Sequence, residues 1–411
     1  MSILKINGVS CDELKENFGT PLYIYDENRL IDNIKEFKNN FKSNCFKTKV
    51  IYASKSFNIK AMLRLVKKYN LGLDCVSLGE LYTANMVNFN HKDIYLHGNN
   101  KSDEEILYSI ENNVNIIVDN ICELERIKRL ANDKDVNLFI RINVGVEAHT
   151  HKYIVTSDID SKFGVIYNSD DYKKMLEIIN HNKNLNLVGL HSHIGSQIFD
   201  LSGFAEEIKR LVSYCKDFSK PISLDLGGGF GVFYTSEDTP KKIADVCHFI
   251  IECVIKYAKE FNVKLNEVLI EPGRAIVGEA GYTLYTIGDV KRTPHKLYYF
   301  IDGGMTDNIR PALYQAKYSF DVATKIDYPK DEMVCIAGKC CESGDILAEM
   351  VVLPKATSGD LLISYTTGAY GYSMSSNYNK ALTPGVVFIK DGKARVVVKR
   401  QTLTELIERE I

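Results

Sequence analysis

From about residue 48 the apolar positions fall into short runs: KVIYAS, GLDCVS, DIYLHG, VNIIVD, VNLFIRINV, NLVGLHSHIG, ISLDLGGG and EVLIEPG. Between the first two, Ile59, Met62, Leu63, Val66 and Tyr69 recur at helical spacing. Between the third and fourth, SDEEILYSIENN opens with a capping box from Ser102 to Glu105. Strand-like runs mostly followed by helices predict an α/β chain with a (β/α)8 TIM-type barrel over residues 28–278. Such a barrel builds its chemistry at the C-terminal ends of its strands.

After about residue 278 the pattern changes. TLYTIGDVKR, KLYYFIDGG, EMVVLP, DLLISY and VVFIKDGKARVVVK are strand-like with few long helices between them, and Asp391-Gly392 marks a hairpin turn. A mostly β domain is therefore expected over 279–411, completed by 1–27, where PLYIYD supplies strand sequence. The barrel then sits inside a discontinuous β domain.

Composition narrows the function classes. The 411 residues are long enough for two domains with substantial cores, and 45% hydrophobic with 25% charged is ordinary for a globular protein. A formal charge of -2 gives no electrostatic reason to expect nucleic acid or an acidic membrane as partner. The first residues, MSILKINGVSCDELKENFG, carry charges throughout, and no run of about 18 apolar residues occurs, so a cytoplasmic protein is expected. The 10 cysteines form no CxxC pair and are expected to be mostly reduced and buried.

Polar clusters recur where strands give way to helices: YASKSF with Lys55, LDCVS with Asp74, HSHIGSQ with His191, His193 and Ser196, LDLGGGFG with Gly227, Gly228 and Gly229, and EPGR with Glu271, Pro272, Gly273 and Arg274. A lysine at a strand end can hold an aldehyde cofactor as a Schiff base. Glu271, after the apolar VLI, is suited to keep a pyridine nitrogen protonated. The glycines expose amides able to cradle phosphate, and Arg274 can reach a phosphate or carboxylate. Val232 stands where a dinucleotide fingerprint would need its last glycine. Together these residues point to pyridoxal 5'-phosphate, with His193 stacked on the ring and Ser196 bonding the phosphate. His191 and His193 alternate on one strand and are expected on one face, which raises a rival, a metal-dependent hydrolase; His97 is the one other strand-end histidine, and no metal is expected. Asp74 either orients the cofactor's surroundings or, as the favoured reading, caps the next helix.

In order and coverage these motifs resemble the fold type III pyridoxal phosphate decarboxylases, and within them most closely the diaminopimelate decarboxylases, from PLYIYD to the C-terminal hairpin. The resemblance implies decarboxylation of meso-2,6-diaminopimelate to L-lysine, with Lys55 as cofactor lysine and Tyr370, in GAYGYSMSSNYN, touching the cofactor. For the substrate it implies Arg274 and Tyr370; RPALY adds Arg310 and Tyr314, and CCESGD adds Glu342. An arginine for the distal carboxylate separates this substrate from ornithine.

The resemblance further implies an obligate homodimer in which Cys341 reaches the neighbouring barrel as general acid, with Glu342 beside it and Lys162 paired to Asp345 across the interface. Cys340 is a second thiol at the same place. HTHKYIVTSDID resembles the family's specificity segment, which usually has threonine followed by glycine; this chain has Thr156-Ser157. The alternatives are a related decarboxylase for carboxynorspermidine, ornithine or arginine, a racemase on a similar barrel, and a non-catalytic homologue that binds a decarboxylase.

Overall fold

The computed structural model describes residues 3–146 and 160–411, and two compact units emerge. One comprises 33–231 and 239–274; the other comprises 1–32, 232–238 and 275–411. Thr156-Ser157 lies outside the described residues.

The first unit is a closed parallel barrel. Its strands run Lys47–Ala53, Gly72–Cys75, Ile94–Leu96, Asn115–Val118, Val136–Asn143, Leu185–His191, Ile222–Asp225 and Leu265–Ile270. Each pairs with the next, and Leu265–Ile270 pairs with Lys47–Ala53 to close the ring. The short strand Val165–Ile166 extends the sheet beside Val136–Asn143. Ile51, Tyr95, Ile117, Phe139 and Leu269, one from each of five barrel strands, pack together with Val188 as an interior layer. Gly189 makes room for it: a Cβ there would stand 2.4 Å from the Ser223 carbonyl and 2.5 Å from the Phe139 ring. The register shifts at this glycine against Val136–Asn143.

The helices form where the periodicity placed them. Met62, Leu63 and Val66 are the buried stripe of Lys60–Lys68, whereas Tyr69 falls at its C-cap. Ser102 and Glu105 form a reciprocal capping box at the start of Asp103–Glu111. Among the described residues no helix is long and apolar enough to cross a membrane.

The second unit is built on a mostly antiparallel sheet. Leu22–Asp26 pairs antiparallel with Gly281–Arg292 and parallel with Gly385–Lys390. Gly385–Lys390 and Lys393–Val398 form the hairpin around Asp391 and Gly392, both at positive φ as a tight two-residue turn requires. Leu22, Ile24, Leu284, Leu361, Ile363, Val387 and Ile389 share its core. The excursion Val232–Asp238 belongs to this unit because its polar groups find partners there. Ser319 Oγ donates to the Tyr234 carbonyl, and the Phe233 amide donates to Glu279.

Candidate active site

Each of the eight barrel strands carries a polar side chain within two residues of its C-terminal end: Lys55, Asp74, His97, Asp119, Asn143, His191, Asp225 and Glu271. The parallel arrangement directs these ends to one rim. Lys55 lies on the short turn Ser54–Ser56 just beyond Lys47–Ala53. Its Nζ is 2.7 Å from Asp74 Oδ2. The favoured expectation for Asp74 is thereby corrected: the cap of the next helix comes from Ser77, which accepts from the Glu80 amide, leaving the Asp74 carboxylate to the lysine.

From Asp74 the polar contacts continue inward. Asp74 Oδ1 is 3.8 Å from His97 Nε2, and the same nitrogen is 2.8 Å from Glu271 Oε1. His191 Nε2 stands 3.7 Å from Glu271 Oε2, and its ring meets that of His97 edge-on at 4.9 Å. Burial opposes ionisation of Glu271, but the contacts with His97 and His191 outweigh it and hold the carboxyl well below the usual range. Asp225 moves the other way, pushed well up by burial and then by the Glu271 charge. The two carboxyls of this pair are thus displaced in opposite directions. Burial lowers His191 to about 3, so its imidazole is neutral.

The shared face expected for His191 and His193 does not form as drawn, because the strand ends at His191. His191 is buried against His97 and Glu271, while His193 Nδ1 accepts from the Gly228 amide at 3.1 Å. Burial and the positive charge of Lys55 hold His193 well below its ordinary pKa.

The glycine loop and EPGR are pressed together. A Cβ on Gly228 would stand 2.4 Å from the Glu271 carbonyl, and Gly229 adopts φ +103, which side chains disfavour. The Glu271 amide donates to the Gly227 carbonyl at 2.7 Å, and the Ala53 amide donates to the Pro272 carbonyl at 3.2 Å. Gly273 packs against Ala53 and Ser56. Arg274 Nη2 donates to Ser196 Oγ at 3.0 Å, bringing the two expected phosphate ligands together.

The remaining expected residues lie in the second unit. Arg310 is buried, with Nη1 donating to the hydroxyls of Tyr234 and Tyr318, and its guanidinium carbon is 5.9 Å from the centre of the Tyr370 ring. Tyr314 closes the short helix Arg310–Tyr314. Cys341 and Glu342 are exposed on a turn. The Cys341 amide donates to Asn379 Oδ1, and the Glu342 amide to the Cys340 carbonyl. Asp345 is buried and accepts from the amides of Met305 and Cys340 at 2.6 and 2.8 Å. Its carboxylate thus accepts from two backbone amides of its own chain. Burial and Asp345 push the Cys340 thiol up to about 11.

The sequence reading missed Asp225, Tyr234 and Tyr318, and gave His97 no part in a cofactor site. Asp225 carried a usable signal, an acidic residue closing the apolar run ISLD directly before the glycines. The tyrosines carried none, because only the tertiary structure brings Tyr234 to Arg310.

Known proteins resemble this chain in sequence and fold. A family model for the pyridoxal binding domain of pyridoxal-dependent decarboxylases matches residues 28–278. The diaminopimelate decarboxylase of Bacillus subtilis (strain 168) is 45% identical over 98% of this chain and 94% of its own. That of Staphylococcus aureus (strain COL) is 43% identical over 98% and 96%. The crystal structure of the M. jannaschii diaminopimelate decarboxylase in complex with L-lysine superposes with a TM-score of 0.93, at 35% identity, covering 100% of this chain and 96% of that one. With the strand-end lysine, the buried glutamate and the glycine loop in one barrel, and relatives matching over nearly its whole length, the chain belongs to the diaminopimelate decarboxylases, a family of pyridoxal-dependent enzymes.

Proposed function

We propose that the chain removes one carboxylate of meso-2,6-diaminopimelate as CO2 to give L-lysine, using pyridoxal 5'-phosphate held through Lys55. One observation carries this reading: Lys55 and Glu271 are linked on the barrel rim by Asp74 and His97, with successive separations of 2.7, 3.8 and 2.8 Å. An amine for an aldehyde and a carboxylate for a ring nitrogen are the two fixed points such a cofactor needs.

The residues fit the cofactor. Glu271 Oε1 is buried and makes no well-aligned hydrogen bond among the described residues, as suits a partner for a protonated ring nitrogen. Ser196, Arg274 and the glycine-loop amides suit a phosphate. When bound, the cofactor supplies the electron sink for the pair left as CO2 departs.

The chain's own groups divide the remaining tasks. Lys55 forms and releases the covalent link, and Asp74 holds its amine in place. Glu271, kept ionised, retains the proton at the ring nitrogen. His193, tied to the glycine loop through Gly228, offers its ring as a stacking face. Arg310 binds the distal carboxylate of the substrate, with Arg274, Tyr314, Glu342 and Tyr370 as further substrate contacts and Tyr370 also touching the cofactor. Cys341, on its exposed turn, delivers a proton to the substrate α-carbon in the barrel of a second copy, so the functional unit is a homodimer acting in the cytoplasm.

The test is to supply the purified protein and pyridoxal phosphate with meso-diaminopimelate and measure lysine, with carboxynorspermidine, ornithine and arginine in parallel. Lysine from the first alone is expected. Turnover of another amino acid instead would overturn the substrate assignment, and full activity in Lys55→Ala would overturn the mechanism.

A further inference from the structure

Four buried side chains converge at the C-terminal ends of four different barrel strands: His97, His191, Asp225 and Glu271. One ligand atom from each lies within 4.8 Å of all the others. Both ring nitrogens of His191, Nε2 of His97, Oδ2 of Asp225 and Oε1 of Glu271 are buried without a well-formed hydrogen bond among the described residues. Buried polar atoms are rarely left so, and here they face one another. The proposed cofactor accounts for the Glu271 oxygen, but not for His191 Nδ1.

We propose that the cofactor-free enzyme binds one divalent first-row transition ion through His97, His191, Asp225 and Glu271, and that this ion and the cofactor exclude each other. Two imidazoles and two carboxylates form a donor set suited to Zn2+, Co2+ or Mn2+, whereas Mg2+ and Ca2+ favour all-oxygen shells. The two carboxylates together balance a divalent charge. Zinc takes nitrogen and oxygen ligands at roughly 2.0–2.2 Å, so the widest separations shorten as the four donors gather around one ion. Exclusion follows because both occupants require Glu271, a point that rests on the role proposed for Glu271 above. The ion occupies this cluster while the barrel awaits its cofactor and is released as the cofactor enters.

The experiment strips the purified enzyme with hydroxylamine, dialyses it against Co2+ and then titrates pyridoxal phosphate. One Co2+ per chain is expected by elemental analysis, with visible ligand-field absorption that disappears as the cofactor binds. His191→Gln and Asp225→Asn each weaken Co2+ binding at least tenfold, with circular dichroism confirming that the variants are folded. No stoichiometric uptake by the wild-type chain overturns the proposal, as does Co2+ that stays bound beside the cofactor or binds both folded variants undiminished. Borohydride reduction followed by peptide mapping reports separately whether cofactor attaches at Lys55. Failure there counts against the proposed function and leaves the wild-type Co2+ stoichiometry to judge the metal site.

Discussion

Lys55 Nζ lies 2.7 Å from Asp74 Oδ2, a carboxylate with no solvent exposure. The pair fixes an otherwise mobile amine at the barrel rim. A hydrogen bond to a charged group contributes about 1.5–3 kcal/mol, which corresponds to roughly a 10- to 100-fold change. Asp74→Asn is therefore expected to lower turnover by about that factor and to reduce the cofactor trapped on Lys55 by borohydride. Unchanged trapping and turnover would remove Asp74 from this role.

Arg310 is surrounded by tyrosines and directed by two of their hydroxyls. Lysine carries the same charge without the planar fork. Arg310→Lys should raise KM for meso-diaminopimelate by about tenfold or more, as expected for one lost charged contact. Cofactor absorbance should be unaffected. A KM unchanged within twofold would assign the distal carboxylate to another residue.

The close approach of Gly228 to the Glu271 carbonyl leaves no space for a methyl group. Gly228→Ala should force the glycine loop away from EPGR at a cost of about 1–3 kcal/mol. Cofactor affinity should fall while secondary structure by circular dichroism is retained. Wild-type affinity would mean that the two segments adjust independently.

Burial raises the Asp307 carboxyl to about 7 in the second unit. Below its ordinary pKa of about 3.8 both folded and unfolded chains hold the proton. As pH rises from there towards 7, the folded chain retains a proton that the unfolded chain has lost. This contribution to stability therefore declines with rising pH, by up to about 1.4 kcal/mol per unit. Asp307→Asn, which can still accept from the Gly304 amide, should lose less melting temperature than wild type between about pH 5 and pH 7. Parallel melting curves for the two would contradict the shift.

Much of the architecture was legible in the chain because it is encoded locally. Short apolar runs separated by helical stripes identify barrel strands and helices, and the Ser102–Glu105 cap and the Asp391-Gly392 turn act over a few residues. The motif order likewise indicated Lys55, Glu271, Ser196 and Arg274, because each lies at or just beyond a strand end or in the loop that follows one.

What the tertiary structure alone decided is who meets whom. Asp74 has the local sequence of a helix cap, yet barrel pairing sets its strand beside that of Lys55 and Ser77 takes the cap. His97 looks unremarkable in its own segment and, like Asp225, meets Glu271 only when strands remote in sequence close into a ring. The 232–238 excursion leaves the barrel sequence to join the β unit, where Tyr234 receives Arg310. The physical reason is one of range. Propensity, capping and turn chemistry act over a few residues and can be read along the chain, whereas the pairing and charge state of a buried polar group depend on neighbours supplied by chain closure.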